Sequence, residues 1–323
     1  MNTQSISQPM PPSFLPQVSV VVPVYNGEKD LPELIDCLRS QTYPPQKVEY
    51  ILVDNNSSDR TPTLLQEAVQ NTPEITLRPL SEPQIQSSYA ARNTGIRAAT
   101  GEFIAFTDAD CRPEPNWLFS LIQPFINPQI GIVVGEIAAF PGNNILEQYA
   151  EREETLSQKH TLAHPFCPYG QTANLGIRRS IFSEIGLFRS YLTTGGDADI
   201  CWRILRETEW RLEFAPTAIV KHRHRTTLKE LQSQWRRYGK SNRYLHQLHG
   251  IDLTRELDQR EYLYRLSRWV LKELPLNTLK AVTKKATLAD ILSTPIGLIC
   301  IQARSQGQRE ANLSETARKI DSL

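Results

Sequence analysis

The stretch Gly101-Glu-Phe-Ile-Ala-Phe-Thr-Asp-Ala-Asp-Cys111 decides the fold. Its apolar run from Phe103 to Phe106 is opened by a glycine and predicts a short strand buried on both faces. Asp108 and Asp110 follow directly, and side chains two residues apart in extended backbone point the same way. We therefore expect two carboxylates to leave the strand end together, in a position to bind a divalent cation.

The spacing of these carboxylates is weak evidence by itself. At ordinary Asp frequency, a chain of this length holds roughly one Asp-x-Asp triplet by chance. This chain has a second one at Asp197-Ala-Asp199. The alternative is a solvated acidic turn that caps the next helix, so the place of the triplet in the fold must decide.

Composition indicates an ordinary globular protein. The 323 residues allow one large domain or two modest ones, and the net charge of +1 gives no bulk attraction for nucleic acid. The five cysteines are scattered without a Cys-x-x-Cys pair, which argues against a disulfide framework or zinc site and favours a reducing cytoplasm. Residues 1–17 are polar and proline-rich, so we expect a disordered arm rather than a signal peptide. No apolar run reaches the about 18 residues that span a bilayer.

Strands and helices alternate in the first third of the chain. Predicted strands at 18–24 and 50–53 are separated by helical patterns, and a helix predicted at 88–100 ends with Gly101 as its cap. This alternation predicts an α/β fold with a parallel sheet, whose ligands bind beyond the carboxyl ends of the strands. Three strand ends would converge on one crevice there: Tyr25-Asn26, Asp54-Asn55-Asn56 and Asp108-Ala-Asp110.

The second half of the chain has a different pattern. Strands are predicted at 130–137, 173–177 and 211–220, and helices at 146–162, 197–206 and 228–248. Between Arg203 and Lys272 there are 16 Lys or Arg and 8 Asp or Glu, a local net charge of 16 − 8 = +8, with aromatic residues interspersed. This stretch is either a solvated helix face or a surface for phosphates or an anionic membrane.

Six segments, in order, resemble family 2 glycosyltransferases with the GT-A fold. They are Val20-Val-Val-Pro-Val-Tyr-Asn26, Val53-Asp-Asn-Asn-Ser-Ser-Asp59, Ala91-Arg-Asn-Thr-Gly95, Phe106-Thr-Asp-Ala-Asp110, Asn174-Leu-Gly-Ile-Arg178 and Gly195-Gly-Asp-Ala-Asp-Ile-Cys-Trp-Arg203. The resemblance implies a Rossmann-like, mostly parallel sheet flanked by helices. It divides a catalytic domain at 18–248 into a nucleotide-sugar half, 18–112, and an acceptor half, 113–248. Residues 249–323 would form a helical C-terminal extension.

The resemblance implies a donor side at the strand ends. Asp54 would accept the ring N–H of a base such as uracil, unless it only shapes a turn. Asp108 would contact the ribose, and Asp110 would bind the Mg²⁺ or Mn²⁺ that grips both phosphates. Arg92 would add a phosphate contact, unless it lies on a helix surface. The implied nucleotide-sugar-binding residues are Pro23, Tyr25, Asn26, Asp54, Arg92, Asn93 and Asp108.

The resemblance also implies an acceptor side. Asp197 would be the general base for the acceptor hydroxyl, or else only a helix cap. The glutamate usual before it is Gly196 here, a departure that bears on the acceptor contact. Asp199 would brace the helix or pair with Arg203 at i+4. The implied acceptor-side residues are Asn174, Gly196, Asp199 and Arg203, and His222 is implied as a second metal ligand beside Asp110.

Together these features predict an inverting glycosyltransferase that moves a single sugar from a nucleotide-sugar, expected to be a UDP-sugar, with Mg²⁺ or Mn²⁺. We expect a saccharide or lipid-linked acceptor, no nucleic acid partner, and a cytoplasmic protein with a peripheral contact to the inner membrane face. Processive relatives carry membrane spans, which this sequence lacks. A non-catalytic nucleotide-sugar-binding protein and a sugar-nucleotide pyrophosphorylase are the alternatives. The latter would need a glycine-rich basic loop after the first strand.

Overall fold

A computed structural model describes residues 14–323. The first thirteen residues of the expected disordered arm lie outside the described residues. The arm prediction is wrong for residues 14–17, because they pack on the core. The ring centroids of Phe14 and Phe103 lie 6.3 Å apart, and the hydroxyl of Tyr43 donates to the carbonyl of Pro16 at 2.9 Å.

One eight-stranded mixed sheet runs through the molecule in the order β3-β2-β1-β4-β7-β6-β8-β5. The strands β3, β2, β1 and β4 are parallel, β7 is antiparallel to both its neighbours, and β6 and β8 pair in parallel. The strands are β1 (Val18–Val24), β2 (Val48–Asp54), β3 (Thr76–Ser81), β4 (Phe103–Thr107), β5 (Cys111–Pro113), β6 (Ile130–Ala139), β7 (Asn174–Arg178) and β8 (Arg211–His222).

Helices cover both faces of the sheet. They are α1 (Leu31–Arg39), α2 (Thr61–Asn71), α3 (Ser88–Ala98), α4 (Trp117–Ile122), α5 (Ile145–Arg152), α6 (Gln158–Leu162), α7 (Ile181–Ile185), α8 (Gly196–Glu207), α9 (Leu228–His249), α10 (Gln259–Arg268), α11 (Leu274–Val282) and α12 (Leu288–Glu310). A π-helical turn, Trp269–Glu273, joins α10 to α11. The helix predicted at 146–162 is split into α5 and α6. Gly101 does not cap α3 but lies against β1, where a Cβ would come within 2.5 Å of the Ser19 backbone nitrogen.

Strand β4 is buried on both faces, as its sequence predicts. Phe103 and Ala105 belong to one hydrophobic core, and Ile104 and Phe106 belong to the other. All four side chains are fully buried. Because the side chains of β4 are packed in both cores, the strand is held firmly in place. Its carboxyl end therefore fixes the position of Asp108 and the residues after it.

The C-terminal extension packs directly on the catalytic part. Helix α12 crosses α9 so closely that a Cβ at Gly239 would lie 1.9 Å from the carbonyl oxygen of Arg304, and one at Gly307 would lie 1.9 Å from that of Arg236. Beyond α12, the tail reaches the core region, where Asp321 accepts hydrogen bonds from Ser190 and the Leu187 amide. The extension therefore supplies side chains to surfaces of the catalytic part.

Candidate active site

The carboxyl ends of β1, β2 and β4 meet at one edge of the sheet, as the parallel alternation predicts. The loops after β1 and β2 are bound together there: the side-chain oxygen of Asn26 accepts from the Ser58 amide at 2.9 Å, and the Asn26 amide donates to Ser57 at 2.8 Å. Asp54 is buried and accepts from the Ser57 amide at 3.2 Å. Pro23 is buried within β1, and Tyr25 beside it is exposed.

Asp108 and Asp110 leave β4 on a turn, not in extended backbone. The turn is closed by the Cys111 amide, which donates to the carbonyl of Asp108 at 3.0 Å. The premise that both residues lie on extended backbone is therefore wrong. Each carboxylate has a different partner.

Asp108 pairs with Arg92 of α3. The guanidinium Nη2 lies 2.5 Å from the Asp108 carboxylate, and the guanidinium also lies over the Tyr89 ring at 5.5 Å. Arg92 is buried, so it is not a helix-surface arginine. Its Nε has no hydrogen-bond partner among the described residues. A buried guanidinium that borders a cavity and pairs with a single carboxylate is suited to bind an anionic group as well.

Asp110 lies against His222 at the end of β8. The carboxylate oxygen is 3.3 Å from Nε2 of His222 and 3.8 Å from the guanidinium of Arg225. Burial alone would raise the pKa of Asp110, but the positive charges of His222 and Arg225 outweigh it and lower that pKa. Burial would likewise lower the pKa of His222, but Asp110 outweighs it and raises that pKa.

This pair fits a single divalent cation. Two ligands at right angles on a cation that binds oxygen at about 2.1 Å lie about 3 Å apart, close to the separation of Asp110 and His222. A carboxylate suits Mg²⁺ or Mn²⁺, and an imidazole favours a transition metal. The Cys111 sulfur and the ligand atoms of Asp110 and His222 all lie within 4.8 Å of one another. Burial raises the pKa of the Cys111 thiol, however, which keeps it protonated and makes it a poor ligand. Burial and neighbouring positive charge lower the pKa of His224 to about 4, so this second histidine is neutral at pH 7.

Asp197 stands in the first turn of α8, after Gly195 with a φ of +81°. One carboxylate oxygen accepts from the Thr172 hydroxyl at 2.9 Å, and no other described side chain donates to this carboxylate. Burial raises the pKa of Asp197; Arg92 opposes the rise and Asp108 adds to it. Arg92 and Asp108 of the donor side are thus electrostatically coupled to the implied base.

Gly196 has no room for a side chain. A Cβ there would lie 2.7 Å from two ring carbons of Tyr89, whose ring stacks on Phe188 with centroids 5.6 Å apart. The space beside Asp197 that a longer side chain would need is therefore filled by Tyr89. Tyr89 and Gly196 are about a hundred positions apart in the sequence. Their contact is therefore visible only in the folded structure.

A cavity of about 610 Å³ joins these parts. Its wall includes Arg92, Asp108, Asp197 and His222, whereas Asp110, Asp54 and Asn26 are not among its lining residues. Sequence reasoning missed several cavity residues from distant elements, among them Tyr149 of α5, Trp235 and Arg237 of α9, and Arg304 of α12. The excess of Arg and Lys in residues 203–272 could have indicated Arg237 as a candidate for binding an anionic group. Arg304 lies outside this stretch, so its place in the cavity has no such indication in the sequence.

Four implied site residues face away from the cavity. Asn93 exchanges hydrogen bonds with the backbone of Phe188, and Asn174 accepts from the indole of Trp117 at 2.8 Å. Asp199 is fully buried between the guanidinium groups of Arg189 and Arg203, each 3.1 Å away, and His249. The i+4 pair of Asp199 and Arg203 is present as predicted, but its place is in the core.

Comparison with known proteins decides the family. The model of Glycosyl transferase family 2 matches residues 19–186, and that of Glycosyl transferase family group 2 matches residues 103–302. Glycosyltransferase AglE of Haloferax volcanii is 31% identical over 266 residues, which are 80% of this chain and 81% of that protein. The chain belongs to glycosyl transferase family 2.

Further relatives and solved structures agree with this family 2 assignment. Pre-mycofactocin glycosyltransferase of Mycobacterium tuberculosis is 32% identical over 73% of this chain, which spans about half of that relative, 49%. Mannosyltransferase PcManGT from Pyrobaculum calidifontis, solved with GDP-Man and Mn²⁺, superposes with a TM-score of 0.61 at 18% identity over 93% of this chain and 89% of its own. S. aureus TarS 1–349, solved with UDP, superposes with a TM-score of 0.50 at 15% identity, over 91% of this chain and 90% of its own. These neighbours confirm the predicted GT-A fold.

The structure also bears on membrane topology. Over residues 14–323, every helix is too short or too polar to cross a bilayer.

Proposed function

We propose that this family 2 glycosyltransferase inverts the anomeric centre as it moves one sugar from a nucleotide-sugar to an acceptor hydroxyl. The observation that carries the proposal is that Asp197 and the Arg92–Asp108 pair border the same cavity of about 610 Å³. A leaving group held at one side and a base at the other are what a single displacement needs.

Asp197 is the proposed general base. Its raised pKa makes it a better proton acceptor than an exposed aspartate, and Thr172 fixes its orientation through one oxygen. The free oxygen takes the proton of the acceptor hydroxyl as that hydroxyl attacks the anomeric carbon, and the nucleoside diphosphate departs from the opposite face. Asp199, two residues further along α8, keeps the helix in place through its buried ion pairs.

Asp110 and His222 are the proposed holders of a divalent cation, Mg²⁺ or Mn²⁺. Such a cation supplies Lewis-acid stabilisation of the departing diphosphate. The guanidinium of Arg92, at the cavity wall, is proposed to donate to a phosphate oxygen. Mn²⁺ in the solved PcManGT complex supports a metal-dependent reaction.

We propose a UDP-sugar as donor, with Asp54 accepting the uracil N–H. UDP in the TarS complex supports this choice, whereas GDP-Man in the PcManGT complex favours a guanine nucleotide. The acceptor is proposed to be a saccharide or a lipid-linked saccharide. The five cysteines are free, in keeping with a cytoplasmic enzyme.

A non-catalytic nucleotide-sugar-binding protein is the second candidate, and Gly196 is the feature that favours it. Tyr89 fills the space beside Gly196 that the side chain of the usual glutamate would need. A pyrophosphorylase finds less support, because Pro23-Val-Tyr-Asn26, where β1 ends, offers no glycine-rich basic loop.

Calorimetric titration with UDP and GDP, each with and without Mn²⁺, tests the donor proposal. We expect Mn²⁺ to strengthen UDP binding at least tenfold, and Asp110→Ala to remove that gain. Equal UDP affinity with and without Mn²⁺ would contradict the metal assignment. A preference for GDP would contradict the uridine assignment alone.

A further inference from the structure

Helices α10 and α11, with the π-helical turn between them, carry an unusual amount of exposed apolar surface. Eight of the fifteen exposed large hydrophobic residues in the described chain fall between Leu263 and Leu288. Leu271 and Val282 are each 79% exposed, and Leu279 is 67% exposed. No residue of these two helices or of the turn is buried. Such a concentration marks an interaction surface.

Four exposed apolar residues of the turn and α11 share one face. Leu271, Pro275, Leu279 and Val282 follow one another at helical spacings of four, four and three residues. The opposite face is anchored to α12: the indole of Trp269 donates to the Ile291 carbonyl at 2.8 Å, and the Asn277 amide donates to the Asp290 carbonyl at 3.1 Å. Because these hydrogen bonds fix one face against α12, the apolar face on the other side is exposed to solvent.

The charge around this face identifies the partner. Residues 259–285 contain seven Lys or Arg and two Asp or Glu, a net charge of 7 − 2 = +5. Both acidic residues are already paired, Glu261 with Arg265 and Glu273 with Arg268. Lys272, Lys280 and the Lys284-Lys285 pair are exposed beside the apolar stripe. Lysines that flank an apolar helix face match an anionic bilayer, which accepts apolar side chains and attracts the ammonium groups together.

Helix α10 and the π-helical turn border a groove that adjoins the candidate active site. A second cavity, of about 770 Å³, is walled by Glu261, Tyr264 and Arg265 of α10 on one side and by α12 on the other. It shares Tyr149, Glu153, Trp235 and Arg304 with the wall of the first cavity. A surface that rests on α10 and α11 therefore lies next to a cavity that shares wall residues with the one bordered by Asp197.

We propose that the outer face of α10 and α11 docks the protein on an anionic phospholipid bilayer. The helices lie in the interface with Leu271, Leu279 and Val282 among the acyl chains, and the lysines contact phosphate groups. This docking presents the second cavity to the bilayer surface, where the glycan of a lipid-linked acceptor can enter. The last point rests on the proposed function, whereas the docking itself does not.

The test is flotation of the full chain with vesicles of phosphatidylcholine alone or with added phosphatidylglycerol, in the absence of donor. We expect binding to the anionic vesicles that weakens at high salt. The variant Leu271→Gln/Leu279→Gln should lower the partition coefficient at least tenfold. Replacement of Lys280, Lys284 or Lys285 by Gln should lower it about fivefold each.

The matched control is Val69→Gln, a similar change at an exposed apolar residue of α2. It should bind vesicles like the wild type, and all variants should keep wild-type circular dichroism. Three results would overturn the proposal: no binding of the wild type to anionic vesicles, an equal loss in the control, or a dimer that Leu271→Gln/Leu279→Gln dissociates. Because no turnover is measured, failure of the glycosyl-transfer proposal leaves this test intact.

Discussion

Replacement of Asp197 by Asn tests the proposed base with a minimal change of shape. The amide oxygen can still accept from Thr172, which lies 2.9 Å from the carboxylate. The amide nitrogen then occupies the position of the free oxygen, and a nitrogen that donates cannot take a proton from the acceptor. Binding groups on the donor side, including Arg92 and Asp108, are unchanged.

The expected loss follows from the role of the base. General base catalysis contributes about 10²- to 10⁴-fold, or about 3–5 kcal/mol of transition-state free energy at about 1.4 kcal/mol per tenfold. We therefore expect kcat to fall by that factor, with the Kd for donor and Mn²⁺ unchanged. In the wild type, the raised pKa of Asp197 should also move the acidic limb of the pH–rate profile above the range of an exposed aspartate. Activity is lost as the pH falls through that pKa, because the base is then protonated.

The assay is single-turnover transfer under saturating donor, with donor binding measured separately by calorimetry. Asp199→Asn is the matched control, since it makes the same chemical change two residues along α8. It should leave Arg189 and Arg203 without their carboxylate and destabilise the fold by about 3–5 kcal/mol, while folded molecules keep near-normal kcat. Near-normal transfer by Asp197→Asn would refute the assignment of the base.

Three single substitutions and one double variant probe the metal pair and the region beside the base. Asp110→Ala should abolish Mn²⁺-dependent donor binding in calorimetry, and His222→Gln should weaken Mn²⁺ about tenfold or more while Mg²⁺ changes less; equal effects on both metals would argue against a nitrogen ligand. Gly196→Ala should lower the free energy of unfolding by about 1–3 kcal/mol or lower the turnover of acceptor, because the added methyl group would lie 2.7 Å from the Tyr89 ring. The double variant Gly196→Ala/Tyr89→Leu should recover part of the loss in kcat/KM for the acceptor, and full additivity would show that the two residues do not compete for space.

The sequence predicts the donor half well because its signals are local. The apolar run 103–106 and the alternation of strands and helices place three polar strand ends at one edge, and the pairing of β1 with β2 and β4 agrees. The turn that separates Asp108 from Asp110 is not visible in an apolar pattern, since it depends on a single backbone hydrogen bond to Cys111. Its consequence is that the two carboxylates acquire different partners.

The acceptor half was harder because side-chain direction there depends on distant partners. Asn174 bonds with Trp117, and Asp199 is enclosed by arginines, so motif position alone could not show that they face the core. Arg304 reaches the cavity only because α12 packs closely on α9 at Gly239 and Gly307. Such long-range packing leaves no periodic signal in the sequence.

The most direct test of the central claim is release of nucleoside diphosphate from a panel of nucleotide-sugars with Mn²⁺ present. A glycosyltransferase with its leaving-group site at Asp110 should release the diphosphate from at least one donor through slow hydrolysis. Chelation of the metal or Asp110→Ala should stop that release. Donor binding without release from any nucleotide-sugar, with or without candidate acceptors, would contradict the account and leave a nucleotide-sugar-binding protein without chemistry.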